Sequence, residues 1–143
     1  MNLVPLEIVT PDRTVYTGTL YQLIAKTGTG EIGILPGHSP VMGTLKPGVL
    51  KLTNNEGTFF FALTGGFLEV KPSSVTVLAD AAENGEDIDV DRAELARVRA
   101  EKYLSENEAD HERARRALVR AQVRLQAASA ARVDGGAAGA RRV

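Results

Sequence analysis

Gly30-Glu31-Ile32-Gly33-Ile34-Leu35-Pro36-Gly37-His38-Ser39-Pro40 decides how this chain is read. Glycine reaches positive φ without steric penalty and proline holds φ near −65°, so a tight turn opens this short apolar strand and a rigid loop closes it. The same punctuation recurs on both sides. Leu6 and Ile8 lead into the turn Thr10-Pro11-Asp12-Arg13, and Val15-Tyr16 resumes an extended run. Leu20 to Lys26 reads as one longer apolar strand ended by Thr27-Gly28-Thr29-Gly30. Strands Val49–Thr53 and Thr58–Leu63 flank Asn54-Asn55-Glu56-Gly57, read as a four-residue hairpin loop. The Phe59-Phe60-Phe61 run is apolar on both faces, which predicts a central strand covered on each side. Gly65-Gly66 precedes Phe67–Val70, and Lys71-Pro72-Ser73-Ser74 turns into Val75–Leu78. Short strands with a turn between each pair predict an antiparallel β-sandwich or barrel.

After Ala79 the period changes. Asp80 to Asp87 is small and polar, with Asn84-Gly85 as a turn or hinge. Ala93, Ala96, Ala100 and Tyr103 then recur at helical spacing, and Ala114, Leu118, Ala121, Leu125 and Ala128 repeat it. Between the two lies a capping-rich stretch, in which Ser105 with Glu108 forms a capping box or Asp110 serves as N-cap. The fold class expected is α+β: an N-terminal antiparallel β-sandwich or barrel, then a C-terminal antiparallel two-helix hairpin. The expected divisions are an anchoring sandwich over 1–80, a hinge over 81–87, the hairpin over 88–133 and a flexible tail over 134–143.

Composition narrows the function. Cysteine is absent and histidine occurs twice, which excludes disulfides and argues against a Cys/His metal site. No apolar run approaches the roughly 20 residues that span a bilayer, and the N-terminus shows no secretory pattern. Acidic and basic residues nearly cancel, to a net charge of −1, which argues against a dedicated nucleic-acid binder. An RNA-binding adaptor using the basic hairpin would betray itself by strongly salt-dependent binding. Arginine is concentrated after Asp91, so an electrostatic partner belongs to the C-terminal half. His38 has no Ser, Cys or carboxylate in a recognisable motif with it, so a surface contact is the better reading than a catalytic base.

Read together, Gly30–Pro40, Thr64-Gly65-Gly66-Phe67-Leu68-Glu69-Val70 and Ile88-Asp89-Val90-Asp91-Arg92-Ala93 resemble the epsilon subunit of F-type ATP synthases. The resemblance runs from about Leu3 to Leu125, with the motifs in the family's order. It implies a non-catalytic central-stalk subunit whose partners are the gamma subunit, the ring of c subunits and the alpha/beta catalytic head. It places such a chain at the cytoplasmic face of the bacterial plasma membrane, held there through the complex. Glu31 and His38 are the candidate contacts with gamma and the c ring, with Phe67-Leu68 as an alternative.

The resemblance also makes the hairpin a regulatory arm. A buried methyl contributes about 0.8 kcal/mol, while ordering a residue costs roughly 1–2 kcal/mol of backbone entropy, so an alanine-packed hairpin opens at modest cost. Arg113, Arg116, Arg120 and Arg124 share one face of the second helix. The face is either solvated or, as the resemblance implies, a docking surface for acidic segments of the beta subunits. In some bacterial members Ile/Leu-Asp-x-x-Arg-Ala belongs to an ATP-binding site, matched here by Ile88, Asp89, Arg92 and Ala93, with Arg120 and Arg124 facing the nucleotide. Asp89 would then accept hydrogen bonds from adenine or ribose, and Arg92 would pair with phosphate. The plainer alternative is that Asp89 caps the first helix and Arg92 is exposed. No cofactor is required; ATP enters as a regulatory ligand only. No Gly-rich loop ending in Lys-Ser/Thr is present, so nothing points to hydrolysis.

Overall fold

A computed structural model of the chain describes residues 2–106 and 111–133. The proposed caps Glu108 and Asp110 and the tail from 134 lie outside the described residues. Ten strands come first: β1 (Val4–Val9), β2 (Thr14–Leu20), β3 (Gln22–Thr27), β4 (Gly30–Ile34), β5 (Val41–Leu45), β6 (Gly48–Asn54), β7 (Gly57–Leu63), β8 (Gly66–Lys71), β9 (Ser74–Ala79) and β10 (Ala82–Asn84). A single 3-10 turn, Gly85–Asp87, leads to α1 (Val90–Glu106) and α2 (His111–Val133).

The sheet runs β10-β7-β6-β3-β5-β8-β9-β1-β2, with β4 paired to β3 off that path. Pairing is antiparallel except for β1 with β9, where Leu6 faces Val75 and Ile8 faces Val77 in parallel. The sheet wraps nearly into a barrel. Buried Asn54 on β6 donates through Nδ2 to the Tyr16 hydroxyl at 2.9 Å and the Thr19 carbonyl at 3.1 Å, drawing the β2 edge across. Its Oδ1 accepts the Glu56 amide at 2.8 Å, so this buried amide group is paired at both ends. Tyr16 also packs on Phe59 and Phe61, with ring centroids 5.7 and 5.5 Å away.

The phenylalanine run occupies β7, between β6 and β10, and Phe59 through Leu63 are all buried. Phe59, Phe61 and Leu63 enter the sandwich core, while Ala62 points the other way into the helices. Phe60, on that same outer face, lies under the Lys51 ammonium, 6.0 Å from its ring centroid. Side chains alternate across a strand, so an unbroken apolar run has meaning only where both faces are covered. At β7 they are.

Two turn details differ from the sequence reading. The strand expected over 20–26 is broken at Tyr21, because β2 pairs with β1 whereas β3 pairs with β4 and β6. The Tyr21 amide marks the switch by donating to the Thr53 carbonyl at 2.8 Å. The loop expected over 54–57 contains only two residues, Asn55 and Glu56, since Asn54 and Gly57 still pair across the ladder. Gly66 shows why its position takes glycine. It has φ +140°, and a Cβ there would stand 2.1 Å from the Leu78 carbonyl oxygen.

The hinge segment carries structure of its own. Ala82, Glu83 and Asn84 pair with Leu63, Ala62 and Phe61 as an added edge strand. Helix α2 then packs on α1 along one side and on β6, β7, β10 and the 3-10 turn along another.

Candidate functional site

The hairpin is seated through small side chains. Ala93 and Ala100 of α1 are buried, as are Ala114, Ala121 and Ala128 of α2, while Leu118 and Leu125 are half-buried. A second stripe, Val123, Ala127 and Ala131, is also buried. Ala62, Ile88, Ala93, Val123, Ala127 and Ala128 form one cluster, flanked by Val49, Val119 and Leu125. Sequence reasoning missed the second stripe because alanine marks both faces of α2 equally.

Short side chains leave room. A cavity of about 730 Å³ lies between the hairpin and the sheet, with β7 and β10 on one side and both helices on the other. Arg13 of the first turn, Arg99 of α1 and Arg113, Arg120 and Arg124 of α2 line it, together with Tyr103 and Glu83. Among the described lining residues these five guanidinium groups face one carboxylate, and that carboxylate is engaged. Glu83 accepts from Arg124 Nε at 2.9 Å and from a terminal nitrogen at 3.3 Å, a forked pair in a part-buried setting. An anion entering the cavity therefore meets guanidinium groups carried on three elements.

The residues proposed from sequence separate. Arg120 and Arg124 line this cavity and Arg113 joins them. Arg116 does not; it lies 3.7 Å from Glu112 on the exposed side. Ile88, Asp89, Arg92 and Ala93 are not among the lining residues. Ile88 and Ala93 are 8% and 0% exposed in the seam beneath α2. Asp89 is a helix cap, its Oδ1 accepting the Arg92 amide at 3.0 Å and its carbonyl accepting the Ala93 amide at 3.0 Å. The Arg92 side chain is exposed. Glu83 and Arg99 were not singled out from sequence, while Arg13 was read only as part of the first turn and Tyr103 only as part of the α1 stripe. Arg99 lies one turn beyond Ala96 and Tyr103 a turn further, so the helical period places them on one side, but only the tertiary fold supplies Arg13 and Glu83.

The surface candidates also divide. Glu31 is exposed on β4 opposite Lys26, and His38 lies beyond the other end of that strand. His38 is held by its amide, which donates to the Leu35 carbonyl at 3.0 Å, and by Nδ1, which donates to the Ser39 carbonyl at 2.7 Å. Of the pair Phe67-Leu68, Phe67 is 54% exposed and Leu68 is core. Phe67 stands between Thr44 and Leu78 in the ladder, so exposed Phe67, Leu78 and nearby Met42 make an apolar strip on the outer face of β5, β8 and β9. No group of three or more His, Asp or Glu side chains able to hold a metal ion occurs among the described residues. No helix among the described residues is long and apolar enough to cross a membrane.

Fold and cavity together define a two-part chain, a β-sandwich carrying a helical hairpin over an arginine-lined seam. The model of the ATP synthase delta/epsilon chain β-sandwich domain matches residues 3–85, and that of the delta/epsilon long α-helix domain matches residues 86–129. The chain therefore belongs to the ATP synthase delta/epsilon chain family. Its relatives include the ATP synthase epsilon chain of Bacillus pumilus, 45% identical over 129 residues that cover 90% of this chain and 98% of the relative. The epsilon chain of Anoxybacillus flavithermus is 46% identical over 104 residues, covering 73% of this chain and 78% of that one. Among solved structures, a chain of the Euglena gracilis mitochondrial ATP synthase OSCP/F1/c-ring assembly superposes with TM-score 0.75 at 25% identity, covering 89% of this chain and 81% of its own length. A chain of the Tetrahymena thermophila mitochondrial ATP synthase central stalk and c-ring shares the fold, with TM-score 0.57 at 18% identity over 87% of this chain and 95% of that one.

Proposed function

We propose that this chain is a non-catalytic central-stalk subunit, whose sandwich joins gamma to the c ring and whose hairpin restrains ATP hydrolysis. The observation that carries the reading is the seam: a hairpin held on a large-residue sandwich by small side chains, over a cavity lined with arginines. The sandwich resists deformation and suits torque transfer between an ion-translocating sector and a catalytic head. The hairpin has little apolar area to lose on opening, which suits a movable arm. Glu31, His38 and the Phe67–Leu78 strip are the surfaces offered to gamma and the c ring. In the extended arm, Arg113, Arg116, Arg120 and Arg124 would meet carboxylates of the beta subunits. Such a chain works peripherally, at the cytoplasmic face of a bacterial plasma membrane.

ATP is the regulatory ligand we assign to the folded arm. Its phosphates suit the guanidinium groups of Arg120 and Arg124, with Arg99 and Arg113 beside them and Tyr103 offering a ring for the base. Asp89, Arg92, Ile88 and Ala93 contribute by fixing the start of α1, which carries Arg99 and Tyr103. Phosphate in the folded arm and carboxylate in the extended arm then compete for the same arginines.

The test is ATP hydrolysis by an epsilon-depleted catalytic head containing gamma, with the full chain or a version ending at Glu86 added. Slower hydrolysis with the full chain alone, both versions binding, is the expected result. Failure of both to bind would overturn the stalk assignment. Calorimetry tests the ligand separately: Arg120→Ala with Arg124→Ala should weaken ATP binding at least about tenfold, and unchanged affinity removes ATP from this cavity.

A further inference from the structure

Glu83, Asn84 and Gly85 are consecutive, and each does a different job beneath α2. Glu83 holds Arg124 through the forked pair described above. Asn84 is extended (φ −65°, ψ 132°) and caps the 3-10 turn, its side-chain oxygen accepting the Glu86 amide at 3.0 Å. Gly85 is buried where α2 comes closest. A Cβ on it would stand 2.4 Å from the Ala127 carbonyl oxygen, 2.9 Å from the carbonyl carbon and 3.1 Å from Ala131 Cβ. The first two are helix backbone, which has no rotamer to retreat into. The φ of Gly85 is not among the positive values of this chain, so proximity rather than backbone conformation demands glycine here.

Which side would yield is fixed by the pairing. Ala82, Glu83 and Asn84 are hydrogen-bonded along β7, next to the phenylalanine-filled core. Helix α2 is seated through the side chains of Val123, Ala127, Ala128 and Ala131, with Val119 and Leu125 packed beside them, and through the Arg124–Glu83 pair. Added bulk at Gly85 should therefore lift α2 and leave the sheet in place.

We propose that residues 83–85 are a clasp for the arm. Gly85 sets how closely α2 can seat, and Glu83 sets where along the helix it seats, through Arg124. Gly85 has a steric role and Glu83 an electrostatic one, and both act on the stretch of α2 from Arg124 to Ala131. The clasp belongs to the isolated chain; only its consequence for hydrolysis rests on the movable-arm reading.

Amide hydrogen exchange on the full chain tests it. Gly85→Ala should speed exchange in α2 over Val119–Ala131 about tenfold or more, while protection in β6 and β7 is kept. Gly43→Ala on β5, where a Cβ meets nothing within 4 Å, should change neither. Alpha-helical protection unchanged in Gly85→Ala overturns the clasp. So does equal loss in β7, which would make Gly85 a plain part of the sandwich. If Gly85→Ala does not fold, Glu83→Gln decides: faster α2 exchange at low salt supports the clasp, and unchanged exchange overturns it. A hairpin that loosens in Gly85→Ala but never alters hydrolysis in the reconstituted head would leave the clasp standing and remove the arm reading alone.

Discussion

The interior of the sandwich and the seam beneath the hairpin both bury apolar side chains, yet they are built from opposite materials. The interior holds Leu6, Ile8, Leu20, Leu23, Leu50, Leu52, Phe59 and Phe61, side chains that each remove a large apolar area from water. The seam holds Ala62, Ala93, Ala127 and Ala128, with Val123 and Ile88 as its largest members. Alanines allow α2 to approach the Gly85 backbone closely but bury little area in doing so. Close approach and strong attachment are therefore separate properties here. The sandwich has the attachment, and the seam has mainly the fit.

The largest expected effect breaks the stronger side. Phe61 is 1% exposed and touches Tyr16 edge-on. Phe61→Ala should cost about 3–5 kcal/mol in urea unfolding, combining lost transfer energy with the cavity left behind. Because α2 rests on β7, hairpin and sandwich should lose stability together. A loss below about 1 kcal/mol would mean the core repacks around the gap, and the contrast between the two regions would fall.

Val123→Ala sharpens the comparison from the other side. Val123 is 6% exposed and has no place in the sandwich core. Removing two carbons should weaken hairpin docking by about 1–2 kcal/mol. The signature is selective: faster amide exchange in α2 and unchanged protection in β6 and β7. A uniform loss across both regions would show that seam and sandwich unfold as one unit.

Sequence carried much of this design, though unevenly. The β7 run was readable because its short apolar stretch, bounded by turn residues at Asn54–Gly57 and Gly65-Gly66, fits a strand covered on both faces. The change of period after Ala79 was readable because alanine recurs at helical spacing over two long stretches. The strand break at Tyr21 was not, since nothing local distinguishes a continuing strand from one that exchanges its pairing partner. Ala82-Glu83-Asn84 is too short and too polar to show a strand period, yet it forms an edge strand and supplies half of the Arg124 pair. The cavity was legible only in part. Arg120 and Arg124 stood out by spacing, but Arg13, Glu83 and Arg99 reach it from other elements, and no periodicity within one segment reports that. Asp89 shows the opposite case, in which capping alone accounts for its observed hydrogen bonds.

The smallest expected effect concerns the solvent side of α1, which contributes to neither region. Glu94 is hydrogen-bonded to Arg97, whose guanidinium also binds Glu101 at 2.6 Å. The side-chain hydrogen bond from Arg97 is the main reason the Glu94 carboxyl sits below its ordinary value. A carboxyl with a lowered folded-state pKa favours the folded helix above its ordinary pKa, and that advantage disappears as pH falls through the lowered one. The pair is open to water, so salt screens it and its share of stability is slight. Glu94→Gln should therefore leave α2 docking and the sandwich untouched at neutral pH. It should remove only a small acid-side loss of α1 helicity, visible by circular dichroism at low salt and absent at high salt. A large effect at neutral pH would require α1 to be held mainly by charges on its outer face. The hairpin would then owe its seating less to the alanine seam than the contrast with the sandwich demands.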